Sequence, residues 1–216
     1  MIARASDADV AWVYDHLAAT ISPRSDLHYN NPFELLVAVV LSAQATDKSV
    51  NVATAKLFPV APTPAAVLAL GEEGLIPFIR TIGLYRTKAK NVIALCGLLL
   101  ERHDGQVPGT RAELEALPGV GRKTASVVLN VAFGQPTIAV DTHVHRVANR
   151  LGFCRSTTPE ATEKALLKRT PKQHLLHAHH YLILHGRYTC TARAPHCGTC
   201  VVAARCPSRA LFTPVV

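Results

Sequence analysis

RAELEALPGVGRKTASVVLNV, residues 111–131, reads as two helices separated by a four-residue break. Thr110 and Glu113 form a capping box that predicts a short helix over 111–116. After Arg122, apolar residues recur at helical spacing and predict an amphipathic helix over 122–133. Between them, Pro118-Gly119-Val120-Gly121 makes a tight hairpin whose glycines are free to take positive φ. Such a turn aims backbone N–H groups and a helix N-terminus at one spot, which attracts phosphate without base preference. The same residues also suit an ordinary helix–helix corner. The neighbouring Arg122 and Lys123 favour the phosphate reading.

The surrounding chain agrees with that reading. Its 216 residues predict one or two domains, and 49% hydrophobic content is ample for a core. Charged residues are only 18%, which excludes a disordered chain. Lys plus Arg is 23 against 15 for Asp plus Glu, a net charge of +8 that favours a polyanionic partner. The longest purely apolar run, 35–41, is far short of a membrane span, so no membrane association is expected. Asp7, Asp9 and Asp15 interrupt the N-terminus, which predicts neither a secretory signal nor an organelle transit peptide.

Outward from the hairpin the pattern is helical nearly throughout. Helices are predicted at about 7–20, 32–44, 48–58, 64–70, 73–80, 85–102, 111–116, 122–133, 143–151, 160–169 and 172–187. Asn31-Pro32-Phe33-Glu34 sets a capping Asn, a Pro in the first turn and a Glu reaching back to the cap. Thr63-Pro64 and Thr158-Pro159 repeat the device, and Thr170-Pro171-Lys172-Gln173 repeats it with Gln as the return partner. The β-leaning stretch 136–140, PTIAV, has no partner strand and reads as an extended connector. The fold class expected is all-α.

Four of the six cysteines, Cys190, Cys197, Cys200 and Cys206, form a C-x6-C-x2-C-x5-C run near the C-terminus. Four thiols in so short a loop suit one metal centre better than disulfides. Zinc and a 4Fe-4S cluster both satisfy four thiolates. The single C-x2-C pair tilts toward iron–sulfur, because zinc ribbons usually carry two. Cys96 and Cys154 read as small buried hydrophobes.

Taken with LSAQATD (41–47), TIGLYRTKAKN (81–91), IAVDTHVHRV (138–147), LHGRYTC (184–190) and the cysteine spacing, LPGVGRKTA (117–125) resembles the endonuclease III family of helix-hairpin-helix DNA glycosylases. The resemblance runs from about Asn31 to Cys206. It implies two helical lobes with a DNA cleft between them. One would be a continuous domain, 24–134, containing the hairpin at 111–133. The other would join 1–23 to 135–216 and hold a 4Fe-4S cluster on the four cysteines. The implied activity is base excision repair: removal of oxidised pyrimidines of the thymine glycol type from double-stranded DNA, then β-elimination at the abasic site. The implied setting is a monomer of prokaryotic type, cytoplasmic and nucleoid-associated.

Residue roles follow from the same resemblance. Lys123 occupies the family's nucleophile position, implying a Schiff base with the sugar. From the residues alone a phosphate-binding lysine is the plainer reading. The positive end of the helix dipole disfavours an ammonium there and eases release of a free amine. Asp141 reads locally as the N-cap of the following helix. The resemblance adds a carboxylate that stabilises oxocarbenium charge and helps deprotonate Lys123. Pro118, Gly119, Val120, Gly121 and Arg122 would bind the DNA backbone. Gln44 would fill the gap left by the extruded base, and Leu84 would wedge the opposite strand. His143 would face DNA, and Arg193 in the cysteine loop would reach phosphate. Ser42 and Asp47 are implied to line the lesion pocket. Ala194 and His196 stand where the family commonly has more basic residues, which lowers the DNA affinity expected of that loop. His145, where the family often has a different residue, has no role assigned. Two rivals stand beside the glycosylase/lyase reading: a monofunctional glycosylase, for example for mispaired adenine, a class that by the same resemblance lacks a lysine at position 123, and a DNA-binding or iron–sulfur sensor protein without catalysis, against which the joint presence of Lys123 and Asp141 argues.

Overall fold

The computed structural model describes residues 2–212. All regular structure among these residues is helical. Ten α-helices follow in order: α1 Asp7–Thr20, α2 Pro32–Leu41, α3 Asp47–Leu57, α4 Pro64–Ile79, α5 Tyr85–His103, α6 Arg111–Glu115, α7 Arg122–Phe133, α8 Thr142–Arg150, α9 Pro159–Arg169 and α10 Ala178–Tyr188. The chain divides into two compact units, Met1–Arg24 with Gln135–Val216, and Ser25–Gly134.

The second unit, Ser25–Gly134, is built around α2. Every residue from Phe33 to Leu41 is buried, as an apolar run without a polar face requires. Asn31 Oδ1 accepts the Glu34 N–H at 2.9 Å, as its sequence predicts. Glu34 does not return to its cap. Its carboxylate instead takes the Asn30 backbone N–H at 2.7 Å and the Asn30 side-chain amide at 2.9 Å, which serves a charged group that is itself buried. The helix ends at Leu41 rather than 44, because Gln44 turns left-handed at φ 55°. In α4, Gly71 is non-helical (φ 64°, ψ 179°), so the helix is broken where two helices are read from the sequence.

The first unit packs α1, α8, α9 and α10 around Tyr14, Leu17, Val144, Val147, Phe153, Leu166 and Leu182. Cys190, Cys200 and Cys206 lie against this core. Two long-range devices hold the chain's N-terminal segment. A Cβ at Gly152 (φ 71°) would lie 2.5 Å from the Ala3 carbonyl oxygen, so that position accepts only glycine. Arg169 donates to the Ala5, Gly152 and Phe153 carbonyls and pairs with Asp7 at 2.8 Å.

The continuous helix read over 172–187 is not formed. A 3₁₀ turn at Lys172–His174 precedes α10, which starts at Ala178. The Thr170 hydroxyl donates to Tyr14 Oη at 3.0 Å instead of capping a helix. His174 meets Asp15 of α1 at 2.7 Å. Two tertiary bonds thus outcompete a local capping pattern. Residues 136–140 belong to no helix or strand, as expected of a connector, and the Ala139 carbonyl meets His179 Nδ1 at 2.8 Å. Cys96 and Cys154 are buried, and burial pushes the Cys96 thiol up to about 12.

Candidate active site

In the second unit, Thr110 Oγ1 caps α6 by accepting the Glu113 N–H at 3.4 Å. The chain then reverses over residues 117–120. The Val120 N–H donates to the Leu117 carbonyl at 3.1 Å, with Pro118 and Gly119 as the central pair. Gly119 has φ 78°, the value a type II turn demands of its third residue. A Cβ there would also crowd Asn91 of α5 at 3.1 Å and Val40 of α2 at 3.3 Å. Gly121 differs from expectation: it is extended at φ −95°, and only Gly119 needs a left-handed backbone. Val120 is buried and pins the turn. Arg111 ties the two helices together, donating to Ser126 Oγ at 2.9 Å and to the Arg122 carbonyl at 3.4 Å.

No side chain caps the N-terminus of α7, and helix N-termini of this kind attract anions. Lys123 is the second residue of α7 and is exposed, as is Arg122.

Two further loops of this unit carry residues singled out in the sequence. Gln44 and Leu84 are exposed, with φ 55° and 60°. Besides Asp104 they are the positive-φ residues other than glycine among those described. A bulky residue held left-handed is strained by about 1 kcal/mol or more, and such strain clusters at functional sites. Leu84 is 59% exposed, which removes the reading of it as a core leucine. The loops adjoin: a Cβ at Gly83 would stand 3.8 Å from the Gln44 carbonyl oxygen. Ser42 ends α2 with its hydroxyl donating to the Val39 carbonyl at 2.8 Å, and Asp47 opens α3 behind the Thr46 cap.

In the first unit, the buried segment Ile138–Ala139–Val140 delivers Asp141 to the N-cap of α8. Asp141 Oδ1 accepts the Val144 N–H at 2.8 Å, and Oδ2 takes no part in the cap. The local role is therefore real, and it is separable from the charge. Asn caps as well as Asp, so Asp141→Asn should leave the melting temperature within about 1 °C of the parent. On the role the resemblance implies for Asp141, base excision should fall roughly 10²-fold in single-turnover assays, the usual effect of losing one electrostatic partner of a developing charge. A fall in stability equal to that of Asp141→Ala would leave the carboxylate a capping role only.

His143 lies two residues further, half-buried, with Nδ1 3.3 Å from Arg146. His145 is turned away from it, and its Nδ1 meets Thr162 of α9 at 2.7 Å. It is a strut between helices.

The four cysteines line one small pocket with His185, Arg150 and Pro195. No three His, Cys, Asp or Glu side chains among the described residues converge on a single ion. Burial pushes the Cys200 and Cys206 thiols up, and the neighbouring thiols of the set add to it. Four mutually repelling thiolates therefore need a cationic core. Burial also holds His185 near pKa 4, a neutral ring 3.8 Å from Cys200 Sγ.

Sequence reasoning missed the clamp on this loop. Arg146 donates to the Gly186 and Cys190 carbonyls at 2.8 and 3.1 Å. Arg150 donates to the Thr191 and Ala192 carbonyls at 2.7 Å each, and lies 3.5 Å from Cys190 Sγ. Their i, i+4 spacing on α8 is the one local signal that could have paired them. Arg193 itself is exposed at the loop's tip.

Comparison with known proteins follows the same two regions. Residues 37–172 match the family described as HhH-GPD superfamily base excision DNA repair protein, and residues 190–206 match the iron-sulfur binding domain of endonuclease III. Endonuclease III of Escherichia coli (strain K12) is 61% identical over 184 residues, 85% of this chain and 87% of that protein. The Treponema pallidum (strain Nichols) endonuclease III is 58% identical over 195 residues, 90% of this chain and 92% of that protein. A solved trapped endonuclease III–DNA covalent intermediate superposes with a TM-score of 0.90 at 46% identity, covering 95% of this chain and 98% of that one. A thermostable thymine-DNA glycosylase, at TM-score 0.80 and 22% identity, shares the fold.

Proposed function

The chain belongs to the endonuclease III family of the HhH-GPD superfamily and is a base excision repair DNA glycosylase/AP lyase that carries a 4Fe-4S cluster; from this we propose that it excises oxidised pyrimidines from duplex DNA as a monomer, through Lys123. The observation that carries the reading is the placement of Lys123: an exposed amine in the first turn of α7, directly after a hairpin shaped to hold phosphate.

The hairpin residues Pro118 to Arg122 hold the backbone of the damaged strand through N–H groups and charge, independent of sequence. Gln44 and Leu84, fixed outward by their strained backbones, enter the duplex as the lesion swings out, and Ser42 and Asp47 border its pocket. His143 and Arg193 add contacts to the DNA. The free amine of Lys123 attacks C1′ of the sugar; the N–C1′ bond forms as the glycosidic bond breaks and the base departs with its electron pair. Asp141 offsets the positive charge that grows on the sugar and accepts the proton lost by Lys123. The C1′–O4′ bond then opens, O4′ taking a proton, to leave a Schiff base that acidifies the C2′ proton; loss of that proton expels the 3′ phosphate, and water releases Lys123.

Cys190, Cys197, Cys200 and Cys206 hold the cluster, which supplies a rigid cross-link for the loop carrying Arg193. Among the described residues no helix is long and apolar enough to cross a membrane.

The substrate assignment is tested with duplexes carrying thymine glycol, an abasic site, a mispaired adenine or no damage. Release of the oxidised base followed by a nick, with no release of adenine, is the expected result. Release of adenine without nicking would overturn it. Binding should weaken with salt at a log–log slope of about −0.9 per phosphate contacted.

A further inference from the structure

Lys88 lies on α5 one turn beyond Leu84, and its backbone N–H donates to the Leu84 carbonyl at 3.0 Å. The residue is only 5% exposed. Its Nζ is covered and meets no hydrogen-bond acceptor among the described residues. Burial lowers its pKa, since an ammonium out of water and without a counter-charge is disfavoured. A buried donor left unmade costs a protein a few kcal/mol, so such a group calls for a partner supplied from outside the chain.

Its neighbours on α5 narrow the choice of partner. On one side is Leu84, exposed and left-handed, in the loop that adjoins Gln44. On the other is Asn91, whose side chain packs on the hairpin at Gly119. Lys88 thus hangs from the helix that supports both elements with which this unit engages DNA. Backbone phosphates run along the outside of a duplex and are met by exposed cations, a task open to Arg86, Lys90 and Arg122. A covered amine meets only a group that leaves the duplex and enters the protein. Base excision delivers one such group, the extruded base, and pockets of this kind read it by hydrogen bonds to its edge. A pyrimidine derived from thymine offers carbonyl oxygens O2 and O4 as acceptors and so fits a donor with no other partner.

We propose that Lys88 is a specificity-determining residue whose amine donates a hydrogen bond to a carbonyl oxygen of the extruded pyrimidine. The assignment rests on the oxidised-pyrimidine reading above and adds to it the group that recognises the base. A structural lysine would act on every substrate alike, whereas a base-reading lysine matters only while a base is present.

The test compares Lys88→Met with the parent holoenzyme on two duplexes, one carrying thymine glycol and one a preformed abasic site. Lys88→Met keeps the stem's volume and removes the donor. Base release should fall roughly 10- to 100-fold under single turnover. Strand cleavage at the abasic site, which has no base to hold, should stay within about twofold. The melting temperature should hold or rise, because an unmet buried donor is gone. Lys88→Gln, which still donates, should recover part of the lost excision and covers the case in which Lys88→Met folds poorly. Equal losses on both duplexes, or unchanged base release, would overturn the proposal. A parent enzyme that releases no thymine glycol would instead remove the substrate reading, and the role of Lys88 with it.

Discussion

Lys123→Ala should abolish the covalent adduct that borohydride traps on damaged DNA and slow strand cleavage at abasic sites by 10³-fold or more, the scale of losing a nucleophile. The structure makes this a clean experiment. Lys123 is exposed at the start of α7, and alanine is the best helix former, so the fold has no reason to suffer. The hairpin that holds phosphate is built from Pro118, the left-handed Gly119 and the buried Val120, none of which the substitution touches. DNA binding should therefore weaken only by one phosphate-sized contact, with the salt slope flatter by about 0.9 at most. Lys123→Arg sharpens the result, since it keeps the positive charge without a usable nucleophile: it should bind like the parent and form no adduct. Parental nicking by Lys123→Ala, or an adduct that survives it, would move the chemistry to another amine and reduce Lys123 to a phosphate contact.

Removing the cluster should be the largest change in stability. The segment 190–212 contains no α-helix, only short 3₁₀ turns and loops, and its cysteines pack against the core of the first unit. Arg146 and Arg150 hold the first part of it mainly by backbone carbonyls, with Arg150 also 3.5 Å from Cys190 Sγ. Without iron the four half-buried thiols lose their cross-link, and metal-binding free energy of this kind is folding free energy. Purified protein should be brown, with broad absorbance near ~400 nm. Cys200→Ser, or stripping iron from the parent, should bleach it and lower the melting temperature by roughly 10 °C or more. Trypsin should then cut at Arg193, Arg205 and Arg209 on the order of 10²-fold faster, as the segment opens. A colourless protein holding one zinc ion, equally resistant to trypsin, would contradict the cluster. Bleached protein that keeps its melting temperature would leave the cluster no structural role.

The site was legible wherever its signal is local. The hairpin declares itself because only a proline followed by a left-handed glycine makes that turn between helices. The cysteine run does so because four thiolates in 17 residues have few stable fates. The caps at Asn31, Thr63, Thr110, Asp141 and Thr158 are three-residue patterns, and all five accept the N–H their sequence predicts.

What escaped the sequence depends on residues far apart in the chain. Gly152 reads as an unremarked glycine until Ala3 and Ala5 are laid across it. Thr170 carries a capping pattern identical in kind to Thr158, yet bonds Tyr14, 156 residues away. Arg146 and Arg150 look like a basic helix face and prove to hold the cysteine loop. Lys88 looks like any lysine on a basic surface and proves to be covered. Side-chain and turn chemistry at separations of three or four residues is set by covalent geometry, so the sequence determined the helices, the hairpin and the metal-binding set. Which buried donors find acceptors is set only when distant segments pack, because burial is a property of neighbours. The tertiary structure alone decided that Thr170 bonds Tyr14 rather than capping the next helix, that α8 clamps the cysteine loop, and that the amine of Lys88 is covered with no hydrogen-bond partner among the described residues.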